Sequence, residues 1–510
     1  MTALNYTSTT GDPALDHAFV RALATARAGR SAPLAHLVGG ADVADGELFE
    51  RADPCDGART VSRAHRGSPE VVAAAVATAR SAQPGWAATP LAERAAALRR
   101  VAALIAERRV ELAGVVAAET GKVRMEAVPE VQEGVDLIEA YCADMERHDG
   151  YRIPLGRLSD DEHNTSVMLP YGVFAVICPF NFPFALAVNM SAGALVCGNT
   201  VVVKPAEETP WSTALLGELA TEAGLPDGVL NVVHGDDATG RALVGAAVDG
   251  VAFTGSAEAG HAIERALHAE PPLRPLIVEM GGKNPAIVTA AADLDRAAAG
   301  IVRSAYGLSG QKCSSCSRVV VERSVHDALV ERIAAGAREL VVGDPADAAT
   351  ALGPVAGDGA LERFDAAAAE ARRDGEVVLG GERDGPFVAP TLVTGLPRGH
   401  RLTREELFLP FLTVTPADSL DDALEEANAV AYGLTAGIFS EDEDEVQAFL
   451  DRIEAGVVYV NRRAGATTGA WPGIQSFCGW KASGASGKGG LGPHYLPQFM
   501  REQSRTVVRG

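Results

Sequence analysis

The sequence is short of positive charge. Against 67 Asp and Glu it sets 45 Lys and Arg, a formal net charge of −22. Most of such a surface repels nucleic-acid phosphates and anionic membranes, which argues against a nucleic-acid partner. It also lacks any run of about 18 uncharged apolar residues, and Met1 to His17 carry no apolar signal core. The reading is therefore a cytoplasmic protein with no membrane association. Cysteine is scarce, with seven residues scattered at positions 55, 142, 178, 197, 313, 316 and 478. That argues against a disulfide framework and predicts reduced thiols, of which one or two at most carry chemistry. No GxxxxGK[ST] loop occurs, which excludes a Walker-type NTPase. The 11 histidines show no HExxH or paired Cys/His spacing, so no metal site is expected. No internal repeat supports a solenoid.

What is present is ample for a globular fold: 510 residues, 47% hydrophobic and 22% charged, enough for two or three domains with large cores. Residues 1 to 50 show weak periodicity and read as an irregular arm. Ser68-Pro69-Glu70 has the form of a helix cap followed by a first-turn proline and acid. Thr89-Pro90 repeats it ahead of Leu98, Val101, Leu104 and Ile105 on one helical face.

From Gly172 the pattern changes. The runs VFAVIC, TVVVKP, VLNVVH, VAFTGS and LIVEM alternate with helical segments, as in the buried parallel strands of a doubly wound, nucleotide-binding sheet. After Gly281 a second βα series predicts helices near 292 to 308 and 325 to 339, and strands at 318 to 322, 411 to 415 and 457 to 460. The polar segments 148 to 170 and 493 to 510 fit neither core and read as an exposed hairpin and strand that pair with another subunit.

The single GxGxxG match, Gly487 to Gly492, lies too near the C-terminus to open a βαβ unit and reads as a flexible loop. Gly235 and Gly240 in GDDATG, and Gly255 and Gly260 in FTGSAEAG, sit where a helix N-terminus would favour a pyrophosphate, though each also suits a plain turn. GQKCSSCSRV, Gly310 to Val319, places Cys313 and Cys316 three residues apart. Zinc would need a second pair that this sequence lacks. On spacing alone, a nucleophile beside a bystander and two core thiols both remain open.

Six stretches together resemble the aldehyde dehydrogenase superfamily: PFNFP at 179 to 183, VVVKPAEETP at 201 to 210, FTGS at 253 to 256, EMGGKNP at 279 to 285, GQKCSSCSR at 310 to 318 and EELF at 405 to 408. They run in the family's order over roughly residues 50 to 510. The resemblance implies an α/β fold of two doubly wound domains plus a small oligomerisation hairpin. The NAD-binding domain would span 1–147 and 171–280, the catalytic domain 281–480 and the oligomerisation segments 148–170 and 493–510, in a homo-oligomer (dimer or tetramer).

The resemblance makes Cys313 the nucleophile and Cys316 a bystander. Glu279 is implied as general base, and the Asn181 side chain with the Cys313 N–H as oxyanion donors. It assigns Lys204 and Glu207 to the adenosine ribose, where a carboxylate opposes a 2′-phosphate and favours NAD over NADP. Gly235, Gly255 and Ser256 would lie near the pyrophosphate, with Ile177, Phe180 and Phe253 packed beside the cofactor. Glu406 and Phe408 would hold the nicotinamide ribose and ring.

Narrower features are similar to the branch acting on L-glutamate γ-semialdehyde, the open form of 1-pyrroline-5-carboxylate: Ser314 after the nucleophile, EVQEGVDLIEAY at 130 to 141, TTGA at 467 to 470 and KASGASGKGGLGPHYL at 481 to 496. The resemblance places the substrate at Ser314, Gly469, Ala470 and Phe477. Departures cluster here: RRAGA precedes TTGA, SFCGW stands for PFGG, LFLPF follows the glutamate, and Met190 occupies a common lysine position. The alternatives are another aliphatic, aromatic or carboxylated aldehyde, or a non-catalytic structural relative.

Overall fold

The computed structural model describes residues 6, 12–357, 359–462 and 470–509. Its first helix, Pro13–Arg27, corrects the expectation of an irregular arm. Asp12 caps it by accepting from the N–H groups of Ala14 and Leu15, and Pro13 suits the first turn. Phe19, Leu23 and Ala26, spaced four and three apart, form its buried stripe. The surrounding alanines dilute that signal in the sequence. Ser68 caps helix Pro69–Ala88 as expected, through the Val71 N–H. Thr89 does not cap the next helix, Leu91–Glu107; its hydroxyl donates back to the Gly85 carbonyl at 3.0 Å.

One sheet orders its strands Leu276–Met280, Gly250–Gly255, Val173–Ile177, Thr200–Lys204 and Leu230–Val232, all parallel, followed by antiparallel His36–Val38 and Ala41–Val43. The five predicted runs are thus its five parallel strands. They leave Val173–Ile177 flanked by strands reached in opposite directions, which opens a crevice at its C-terminal end.

Three residues, Gly281 to Lys283, carry the chain into the second sheet. Its order is Glu376–Leu379, Thr391–Thr394, Phe411–Ala417, Cys316–Glu322, Asn284–Val288, Thr435–Phe439 and Val457–Val460, parallel except at the first pair. Helices Leu294–Tyr306 and His326–Arg338 match the predicted ones within about two residues. A third sheet pairs Met500–Val508 with Glu162–Pro170 and that strand with Arg152–Pro154, all antiparallel. The two polar segments therefore pair with each other within one chain.

Candidate active site

The loop carrying Cys313 is shaped by backbone that L-residues rarely adopt. Leu308 and Ser309 stand at φ 51° and 50°, followed by Gly310 at 71°. Each non-glycine costs on the order of 1 kcal/mol or more, tolerated only where the surroundings hold it. The Ser309 hydroxyl donates to the Gly353 carbonyl at 2.7 Å. A Cβ at Gly310 would lie 2.1 Å from the Leu409 carbonyl oxygen, so only glycine fits. Gln311 is stitched to Ala356 in both directions, its amide donating to the carbonyl at 2.5 Å and accepting from the N–H at 3.0 Å. Beyond the nucleophile, Asn284 donates to the carbonyls of Cys313 and Ser315 at 2.7 and 2.9 Å and accepts from the Thr435 N–H at 3.0 Å.

This turn separates the two cysteines. Cys316 begins strand Cys316–Glu322 and is 1% exposed in the core. Cys313 is half-buried and lines a pocket of roughly 950 Å³ of empty space, open to solvent on one side. Burial and the facing Glu279 carboxylate push its thiol well up, so it rests protonated. Glu279, at the end of strand Leu276–Met280, has a buried Oε1 without a hydrogen-bond partner among the described residues, and burial pushes its carboxyl up to about 7 against the hydrogen bond from Cys313. That suits a base working near neutral pH. Ser483 steadies this strand end: its carbonyl accepts from the Met280 N–H at 2.9 Å and its hydroxyl donates to the Gly281 carbonyl at 2.7 Å. Asn181, 5% exposed, lies behind the loop and donates one amide proton to the Gln311 carbonyl at 3.0 Å. Asn181 itself is not among the residues that line the pocket.

The expected cofactor residues gather at the strand ends of the first sheet. Ile177, Lys204 and Gly255 end three adjacent strands, and Phe253 packs in the core beneath. Ser256 caps helix Ala257–Leu267 through the Ala259 N–H, leaving the Ala257 and Glu258 N–H groups for an anion. A Cβ at Gly255 would lie 2.5 Å from the Phe253 ring, so a larger residue would have to displace that ring. Gly235 opens the turn into helix Asp237–Gly245. Nearer the thiol, the rings of Phe180 and Phe408 meet edge-on, centroids 5.9 Å apart, and Glu406 accepts from the Gly282 N–H at 2.9 Å. Lys204 donates to the Pro205 carbonyl at 2.8 Å, and Glu207 is paired with Arg66 at 2.8 Å. The crevice, its apolar wall and the helix N-terminus fit a dinucleotide.

A model of the aldehyde dehydrogenase family matches residues 42–504. The chain belongs to the aldehyde dehydrogenase family. It is 37% identical to a 1-pyrroline-5-carboxylate dehydrogenase of Geobacillus thermodenitrificans, over 96% of this chain and 95% of the relative. A solved 1-pyrroline-5-carboxylate dehydrogenase from Thermus with bound NAD superposes with a TM-score of 0.93 at 33% identity, covering 99% of this chain and 98% of that one. Proline utilization A from Bdellovibrio bacteriovorus matches with a TM-score of 0.92 at 32% identity over 96% of this chain, which spans 52% of that longer one.

Around this aldehyde dehydrogenase thiol, Ser314, Ala470 and Phe477 line the pocket; Gly469 lies outside the described residues. Met190 lines it too. The Gly487 to Gly492 stretch is part of the wall rather than a free loop. Lys488, Gly489, Gly490 and Leu491 line the pocket, and the Phe477 N–H donates to the Gly490 carbonyl at 2.9 Å. Sequence reasoning missed the carboxylates of helix Arg124–Arg147. Glu126, Glu130 and Glu133 recur four and three apart and so share one face. Glu126 pairs with Lys312 at 3.0 Å. Glu130 pairs with buried Lys122 at 2.5 Å and accepts from the Phe184 N–H at 3.0 Å. Glu133 lines the pocket, pushed up to about 7 by burial, and accepts from the Tyr6 hydroxyl at 2.7 Å. The spacing was visible; that the face turns toward the thiol was not. Asn284 and Gln311 were present in the quoted motifs but carried no assigned role.

Proposed function

We propose that the chain oxidises L-glutamate γ-semialdehyde, the open form of 1-pyrroline-5-carboxylate, to glutamate with NAD as the oxidant. The observation that carries this is a thiol facing a carboxylate of pKa about 7 in a pocket whose wall offers a second carboxylate, Glu133, beside Ser314 and Ala470. An amino-acid aldehyde needs partners of both signs. Glu133 suits the α-ammonium, and the Ser314 hydroxyl with the backbone at Ala470 suits the α-carboxylate. The likeness to relatives bearing that name over nearly their full length supports the same substrate.

In this mechanism Glu279 takes the Cys313 proton as the thiolate adds to the aldehyde carbon, giving a hemithioacetal. The Cys313 N–H and the Asn181 amide stabilise the oxyanion. When bound, the nicotinamide supplies the two-electron acceptor for the hydride that leaves this carbon, and a thioester remains on Cys313. Glu406 and Phe408 would hold the cofactor's nicotinamide end. Glu279 releases the Cys313 proton to solvent, then deprotonates a water that attacks the thioester carbonyl, and as glutamate leaves the Cys313 thiolate takes a proton back from Glu279. A CoA-acylating relative would need no such base, so Glu279 favours acid formation.

We further infer a homo-oligomer, dimer or tetramer, whose contacts use the third sheet, where Ile153, Val507 and Val508 are exposed. The seven unpaired cysteines favour a cytoplasmic location, and among the described residues no helix is long and apolar enough to cross a membrane. The test is NADH formation from DL-1-pyrroline-5-carboxylate against a panel of aliphatic, aromatic and carboxylated aldehydes. Preference for pyrroline-5-carboxylate is expected; preference for another aldehyde would keep the chemistry and discard the substrate.

A further inference from the structure

We propose that Arg66 is a specificity-determining residue that lets the cofactor crevice accept a 2′-phosphate as well as a 2′-hydroxyl. The inference rests on the nicotinamide-dinucleotide reading above. In doubly wound nucleotide folds an acid past the second strand binds the ribose 2′-hydroxyl, and an arginine nearby accommodates a 2′-phosphate. This chain has both, joined to each other.

Glu207 stands three residues beyond strand Thr200–Lys204. Arg66 reaches it from a separate part of the chain, immediately after strand Asp56–His65. Its Nη2 donates to Glu207 Oε1 at 2.8 Å, its Nη1 pairs with Asp236 at 2.5 Å, and its guanidinium carbon lies 5.1 Å from the centroid of the Phe49 ring. The backbone beside it is fixed, with the Gly67 N–H donating to the His234 carbonyl at 2.8 Å. The guanidinium is thus bracketed on several sides, unlike a freely swinging surface arginine.

An unpaired Glu207 would repel a phosphate dianion. Paired, its charge is partly offset by a guanidinium that Asp236 shares, and its side chain, 44% exposed, can turn outward. A 2′-phosphate then takes its place on the planar fork of Arg66, whose geometry matches phosphate oxygens. Asp236 cannot follow Glu207, because it also caps helix Asp237–Gly245 through the Ala238 and Thr239 N–H groups. It therefore keeps Arg66 in place in both states. With a 2′-hydroxyl, Glu207 stays inward and accepts from it. Asp236, on the same guanidinium, keeps the balance toward NAD.

The test is calorimetric titration of wild type, Arg66→Gln and Glu207→Gln with 5′-AMP and 2′,5′-ADP, alongside NAD and NADP. Wild type is expected to bind both adenine nucleotides. The affinity ratio of 2′,5′-ADP to 5′-AMP should fall about tenfold or more in Arg66→Gln and rise in Glu207→Gln. Equal weakening of both nucleotides in Arg66→Gln overturns the proposal, as does a wild type that binds 5′-AMP but not 2′,5′-ADP; either result leaves the NAD reading intact. Should Arg66→Gln not fold, an unchanged ratio in Glu207→Gln overturns it instead. A wild type that binds neither NAD nor 5′-AMP sinks the NAD reading and this proposal together.

Discussion

On the floor of the pocket, Cys313 rides a loop whose carbonyls are gripped by Asn284 and whose preceding turn is bolted to Ala356 through Gln311. Glu279 ends a strand held by Ser483. At the mouth, Ala470, Phe477 and Lys488 come from irregular segments between strand Val457–Val460 and the C-terminal sheet. The floor places reacting groups on strand ends and amide clamps, where small displacements are costly. The mouth places recognition on loops, which change without disturbing the core. Reaction chemistry and substrate choice are therefore separately variable here.

The most severe test of this comparison is Cys313→Ala, expected to cut kcat/KM by about 10⁴-fold or more while substrate and cofactor still bind; retained turnover in a steady-state assay would put the nucleophile elsewhere. Next comes Glu279→Gln, expected to lower kcat by about 10² to 10⁴-fold. Because the base acts deprotonated, wild-type activity should rise with pH through about 7, and that limb should vanish in the variant.

The same carboxyl links activity to stability. Its folded pKa lies above the unfolded value, so the unfolded chain binds fewer protons between about 4.5 and 7 and stability declines with rising pH across that window. Glu279→Gln should accordingly raise Tm at pH 8, read by calorimetry.

Asn284→Ala probes the clamp itself. It strands two carbonyls and the Thr435 N–H, which should destabilise the fold by about 1–3 kcal/mol and lower kcat by about 10 to 100-fold through misplacement of the thiol, with KM little changed. Ser314→Ala tests substrate recognition on the nucleophile's own loop and should act the other way, raising KM for pyrroline-5-carboxylate about tenfold by loss of one charged hydrogen bond with kcat nearly retained. A kcat effect at Ser314 comparable to that at Asn284 would erase the distinction between positioning and recognition. The mildest change is Cys316→Ala, expected to cost about 1–2 kcal/mol of core packing and to leave activity within about twofold in the same assay.

Much of this could be read in advance where local pattern and long-range structure agree. The five β-branched runs became five parallel strands because a strand covered on both faces must be apolar throughout. Helix Pro13–Arg27 escaped notice because alanine serves equally on buried and exposed faces, leaving Phe19 and Leu23 too sparse to announce a stripe. Gly487 to Gly492 looked like slack, yet Gly489 lets the loop approach the Phe477 backbone closely. Tyr6 and Glu133 lie 127 residues apart, and no local signal foretells their hydrogen bond.

By itself the sequence determined the α/β class, the order of the two strand series and the identity of the groups able to react, because these depend on side-chain type and short-range periodicity. Only the tertiary structure decided that Cys313 faces Glu279 while Cys316 sinks into the core, that Glu133 turns toward the pocket, and that Arg66 meets Glu207. Each of these is a contact between segments brought together by sheet packing, and the pKa of Glu279 follows from the water which that packing excludes.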